Sequence, residues 1–115
     1  MKDINELIYN ELNSICRTCY EEISDKQIPE EYIVFDRIHG YELEYADNVA
    51  ATNYHAYRVN FYCTTKRRRE EVMRTIKQKM KNAGFKILED NIPIPRETGA
   101  SKYGAYSEFA YYEVI

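Results

Sequence analysis

Residues 54–85, YHAYRVNFYCTTKRRREEVMRTIKQKMKNAGF, decide how the rest of the chain must fold. The first ten alternate: His55, Tyr57, Val59, Phe61 and Cys63 fall on one side, and Tyr54, Arg58, Asn60 and Tyr62 on the other. Period-two alternation of this kind marks a half-buried strand. Thr64 and Thr65 then offer hydroxyls suited to a helix N-cap, and Val72, Ile76, Met80 and Ala83 recur at helical spacing. Gly84 stands where a left-handed residue ends a helix, and Phe85 is placed to fold back onto it. A strand, a tight corner and an amphipathic helix therefore form one packing unit.

Upstream, Ile4, Leu7, Ile8, Leu12, Ile15, Cys16 and Cys19 recur at steps of three and four. This spacing predicts a first helix from about Ile4 to Tyr20, with Asp3 as N-cap and Glu6 completing a capping box. Polar residues 21–29 end in proline, after which Tyr32-Ile33-Val34-Phe35 opens a strand reaching about Ile38. Gly40 predicts a break, and Tyr41, Leu43 and Tyr45 alternating with Glu42 and Glu44 predict a hairpin partner. Residues 46–53 read as a loop turning at Asp47-Asn48. Downstream, Phe85–Leu88 reads as a short strand. Asp90–Gly104, with two prolines and two glycines, reads as irregular, and Ala105–Ile115 as a closing strand apolar on both faces. The order is α-β-β-β-α-β-β, an α+β fold of two helices packed on an antiparallel sheet.

A chain of 115 residues suits a single domain and can bury roughly two-thirds of its extended surface. A hydrophobic fraction of 44% with 30% charged residues is ordinary for a globular domain. The net charge of −3 weighs against a general nucleic-acid binder. No run of about 18 apolar residues predicts a membrane span. The first residues lack the apolar core of a signal peptide, so an intracellular protein is expected. Twelve tyrosines and no tryptophan are unusual, and suit either a partly wet sheet face or an assembly surface.

Candidate chemistry is sparse. Cys16-Arg17-Thr18-Cys19 has the spacing of a redox pair, but the expected helix puts both thiols on an apolar face near its negative end, where the dipole raises a thiol pKa. Cys63 points inward on its strand. Cys16, Cys19, His39 and His55 suffice in number for zinc but lack paired ligand spacing. No Gly-x-Ser-x-Gly, Walker or dinucleotide-binding motif occurs. No catalytic residue, metal site or cofactor is expected. Lys66-Arg67-Arg68-Arg69 places four cations in a helix's first turn, where the dipole opposes each by roughly 0.3–1 kcal/mol. Glu70 and Glu71 can pair back to Lys66 and Arg67 at i,i+4. The run reads as solvated charge, as a surface for an acidic protein, or as a nucleic-acid contact.

Five blocks together carry a resemblance: Ile4-Asn5-Glu6-Leu7-Ile8-Tyr9, Pro29–Phe35, Ala46-Asp47-Asn48, Tyr54–Asn60, and Lys79–Phe85 with the aromatic closing strand. Over nearly its whole length the chain resembles the small tail-completion, or head–tail joining, proteins of long-tailed bacteriophages and prophages. It departs from them at Glu31, where members often carry proline, and in the longer Asp90–Gly104 segment. The resemblance implies a structural, non-enzymatic α+β subunit. Such subunits form a ring, commonly of six copies, that caps the tail tube and docks it to head connector proteins. It implies assembly in the host cytoplasm and residence at the virion's head–tail junction. Expected partners are further copies of the chain, the tail tube protein and the connector or adaptor proteins, with no membrane and no direct nucleic-acid binding. Candidate interface residues are Glu42, Glu44, Asp47, Asn48, Lys66, Arg67, Arg68, Arg69, Arg96, Lys102 and Tyr103. A small nucleic-acid-contacting or regulatory module using Lys66–Arg69 is the alternative.

Overall fold

The computed structural model describes residues 3–20, 30–43, 52–95 and 102–114. Its elements are α1 (Ile4–Leu12), β1 (Arg17–Tyr20), β2 (Tyr32–Leu43), β3 (Thr52–Cys63), α2 (Lys66–Asn82), β4 (Lys86–Ile94) and β5 (Tyr103–Val114). The strands form one sheet in the order β1-β2-β3-β5-β4, parallel between β1 and β2 and antiparallel elsewhere. The fold is α+β, with the element order expected from sequence.

The corner unit forms as its residues dictate. Thr65 is extended and its hydroxyl accepts a hydrogen bond from the Arg68 N–H at 3.2 Å, satisfying one of the orphan donors that every helix start leaves. At the far end Gly84 takes φ +98°, donating to the Lys81 carbonyl while Phe85 donates to that of Met80. This pair of bonds is a Schellman motif, and it turns Phe85 back into the core. Val72, Met73, Ile76 and Met80 are buried against Tyr57, Val59, Phe61 and Cys63 of β3 and Ala105 and Phe109 of β5. Ile4, Ile8 and Leu12 of α1 join the same core beside Ile33 and Phe35 of β2.

Four expectations need correction. The first helix ends at Leu12, not near Tyr20: residues 13–16 turn, and Arg17–Tyr20 pair with Tyr32–Phe35 as a parallel strand. The apolar spacing persists through Ile15 and Cys16 because both still pack on the core, but Asn13 and Ser14 favour a turn over a helix interior. Second, Gly40 does not break β2. The strand runs to Leu43 with a register shift between Arg37 and His39, because β3 offers a full-length partner. Third, the sheet is therefore not wholly antiparallel, and β1 replaces the expected hairpin strand in the element order. Fourth, much of Asp90–Gly104 is regular. β4 reaches Ile94 and β5 begins at Tyr103, while Asn91 at φ 50° marks an irregularity in the ladder. Pro93 is tolerated because β4 is an edge strand, which needs no ladder donor on its outer side.

Both helices cover one face of the sheet. The opposite face carries a ladder of cross-strand pairs between β3 and β5: Tyr54 with Tyr112, Ala56 with Ala110, Arg58 with Glu108, Asn60 with Tyr106 and Tyr62 with Gly104. β5 is interior in the sheet, as its two apolar faces predict.

Candidate interaction surface

The basic run at the start of α2 is drawn largely into the fold. Arg68 Nε donates to Glu31 Oε2 at 2.6 Å and its Nη2 to Oε1 at 3.2 Å, a bidentate tie from the helix to the entry of β2. Arg69 is only 13% exposed in its side chain; it lies along the start of β5, with Nη1 donating to the Gly104 carbonyl at 3.5 Å and Nη2 3.5 Å from Glu70. Lys66 Nζ stands 5.9 Å from the centre of the Tyr103 ring. Arg67, 92% exposed, pairs only with Glu71 of its own helix at 3.5 Å. An acidic partner for Arg68 is thus supplied within the chain, by the residue at which the resemblance is broken. The helix-dipole cost does not by itself call for a second molecule.

Positive charge continues down the helix. Arg74 and Lys81 are exposed, Lys79 is half-buried, and none of the three makes an ion pair among the described residues. Lys77 is tied to Asp90 of β4 at 2.9 Å. Asn91 Nδ2 donates to Glu70 at 2.8 Å, and the Asn91 backbone N–H donates to the buried Ser107 hydroxyl. These contacts border an open polar cleft of about 150 Å³ between α2 and β4, with Met73 and Arg74 also in its lining. Eight residues of α2 are Lys or Arg and two are Glu; the helix carries +6 in a chain of net −3, leaving −9 on the remainder. The sequence shows this concentration, although attention falls first on the uninterrupted run and not on Arg74, Lys79 and Lys81.

The other candidates are dispersed. Lys102 is half-buried, and Tyr103 begins β5 beside Lys66. Glu42 pairs its backbone with Asn53, and its side chain lies outside the described residues, as do Glu44, Asp47, Asn48 and Arg96. Glu31, the partner of Arg68, carries no local sequence signal that would single it out.

Cys16 and Cys63 are free thiols, while the side chains of Cys19 and His39 lie outside the described residues. Cys63 is fully buried and its Sγ donates to the Thr65 carbonyl at 3.1 Å. Cys16, in the turn after α1, has its pKa pushed up to about 11, first by burial and then by the Glu31 carboxylate. Burial, not the dipole of a helix end, keeps it protonated. No group of three or more His, Cys, Asp or Glu with metal-binding geometry occurs among the described residues. Among the same residues no helix is long and apolar enough to cross a membrane. Neither protein-family models nor curated protein sequences give a match to this chain.

Proposed function

We propose that this chain is a structural subunit of a ring that caps the tail tube of a long-tailed phage or prophage and joins it to the head connector. Its partners in this reading are further copies of itself, the tail tube protein and the connector or adaptor proteins, and it catalyses no reaction. What supports the reading is the resemblance over nearly the whole chain, together with an α+β layer of the implied kind and a helix whose net charge is opposite to that of the remaining sequence. A ring subunit needs two different complementary surfaces, and a chain with +6 on one helix and −9 elsewhere has the means to supply them.

The test is co-expression with the tail tube protein encoded in the same gene cluster, followed by negative-stain imaging. Rings seated at the ends of tubes are the expected result. A gene cluster without a tail tube protein, or tubes that bind none of this chain, would overturn the proposal. The alternative, a nucleic-acid-contacting or regulatory module using the Lys66–Arg69 turn, would add to that turn the exposed Arg74 and Lys81 of the same helix. It requires binding that weakens steeply with salt, and absence of any mobility shift at low salt removes it.

A further inference from the structure

The two helices share one face of the sheet but carry opposite charge. α2 packs on β3, β5 and β4, and α1 packs on β1 and the near side of α2, so they occupy opposite flanks of the same layer. From Asp3 to Cys16 the chain has three carboxylates, Asp3, Glu6 and Glu11, and no Lys or Arg. Asp3 and Glu6 are exposed and Glu11 is half-buried; none of them makes an ion pair among the described residues. Tyr9, three residues on from Glu6 and so beside it on the outer stripe that runs from Asp3, is 43% exposed, an amphipathic ring of the kind that anchors interfaces. On the β4 flank, α2 presents Arg74 and Lys81 beside the neutralised Lys77–Asp90 pair.

We propose that α2 of one copy docks on α1 of the next, head to tail, with Arg74 and Lys81 facing Asp3 and Glu6 beside Tyr9. The occupant is a second copy because the chain itself carries the complementary surface, and because its overall charge is negative, which disfavours a polyanion. The sheet edges offer poor alternatives: β1 has four residues, and β4 carries Pro93 and the Asn91 irregularity. Two unlike surfaces on each copy make the contact heterologous, the kind that closes into rings. This inference gives the ring reading its contact surface and rests on that reading for closure, though not for the pairing itself.

The experiment is light scattering of the purified full chain and of two variants, Arg74→Glu/Lys81→Glu and Glu6→Lys/Asn10→Lys, the second reversing the exposed face of α1 while keeping the Asp3 cap, with circular dichroism as a check on folding. The wild type is expected to self-associate at low salt and to weaken about tenfold or more in its dissociation constant as NaCl rises from roughly 50 to 500 mM. Each variant alone is expected to be monomeric. An equimolar mixture should reassemble, because each reversed helix then meets its complement on the other variant; this recovery also excludes misfolding as the cause of either loss. Tyr9→Ala should weaken association while leaving its salt dependence intact.

Wild-type assembly that both variants retain would overturn the α1–α2 contact and leave the ring to another surface. A wild type monomeric at every salt and concentration would overturn self-docking, while the tail-cap reading would still stand or fall on binding to tubes. Salt-dependent binding of duplex DNA, lost in Arg74→Glu/Lys81→Glu without any self-association, would replace the second copy with nucleic acid.

Discussion

The two faces of the sheet are held by different physics although they share every strand. On the helix side, Ile33, Phe35, Val59, Phe61 and Phe109 are almost or fully excluded from water, and stability comes from apolar area and close packing. On the other side the same strands present pairs that complete each other. Tyr32 stacks on Tyr62 at 4.9 Å between ring centres, and Tyr54 meets Tyr112 at 5.1 Å. Arg58 is bidentate to one Glu108 oxygen at 2.9 and 2.7 Å and lies 4.7 Å from the centre of the Tyr106 ring. Cross-strand pairs of these kinds contribute roughly 0.2–1 kcal/mol each, so the outer face is many small terms where the inner face is a few large ones. Much of the tyrosine excess therefore has work to do inside the sheet. An assembly role for this face is not required to explain it.

If that contrast is right, truncating one inner aromatic should outweigh any single outer change. Phe61→Ala removes a fully buried ring whose surroundings, Val59, Met73 and Ile76 among them, are themselves buried. A loss of about 3–5 kcal/mol is expected in urea unfolding. A loss below about 1.5 kcal/mol would mean that the core can collapse around the gap, and the two faces would no longer be distinct in kind.

On the outer face the most sensitive position is a glycine. Gly104 pairs with Tyr62, and a Cβ there would meet the Tyr62 ring at 2.9 Å and Ile94 Cδ1 at 3.2 Å. The ring covers the bare backbone and is itself stacked on Tyr32, so it cannot swing away cheaply. Gly104→Ala is expected to cost about 1–3 kcal/mol. The double variant Gly104→Ala/Tyr62→Ala should recover part of that loss. A loss that is purely additive would show that the clash is not with the ring.

The Arg58–Glu108 pair bears on the same contrast, since it is a charged rung of the β3–β5 ladder, with Asp36 of β2 opposite Arg58 on its other side. Arg58 is 42% exposed and Glu108 16%, so solvent screening limits the pair, and a double-mutant cycle should give a coupling of about 0.5–1.5 kcal/mol, reduced by salt. A coupling near zero would demote it to an incidental contact.

The same division explains what could be seen in the sequence. The inner side of β3, the α2 stripe, the Thr65 cap and the Gly84 stop all depend on neighbours within a few residues, so periodicity and cap chemistry reveal them. β1 is hidden because Ile15 and Cys16 continue a helical spacing that their packing on the core, not a helix, requires. Gly40 reads as a break until β3 is known to pair through it. The tie between Arg68 and Glu31 spans 37 residues, and no local pattern announces it. The basic run is plain in the sequence, but its direction is not. A first-turn arginine can reach back to its own sheet or outward to a partner, and only tertiary placement separates Arg68 from Arg67.

The smallest expected effect is an alkaline one, and it tests the buried side again. Cys16 ionises at about 11 in the folded chain, against an ordinary thiol value of 9.0, because burial and Glu31 disfavour the thiolate. A raised acid pKa leaves stability intact below the unfolded value. Above it, the unfolded chain releases the proton first, and stability falls until the folded thiol also ionises. The window is therefore from about pH 9 to 11. Because Cys16 is only half-buried, the loss should be on the order of 1 kcal/mol, less than the full linkage of the shift. Tyr32 and Tyr62 have pKa values raised, chiefly by burial, and should add a decline of the same sign at higher pH. Urea midpoints at about pH 8, 10 and 11 for the wild type, Cys16→Ala and Tyr32→Phe separate the contributions. Cys16→Ala should flatten the first part of the decline and Tyr32→Phe only the later part. Equal declines in all three proteins would place the alkaline sensitivity elsewhere, and would remove the thiol's burial as its cause.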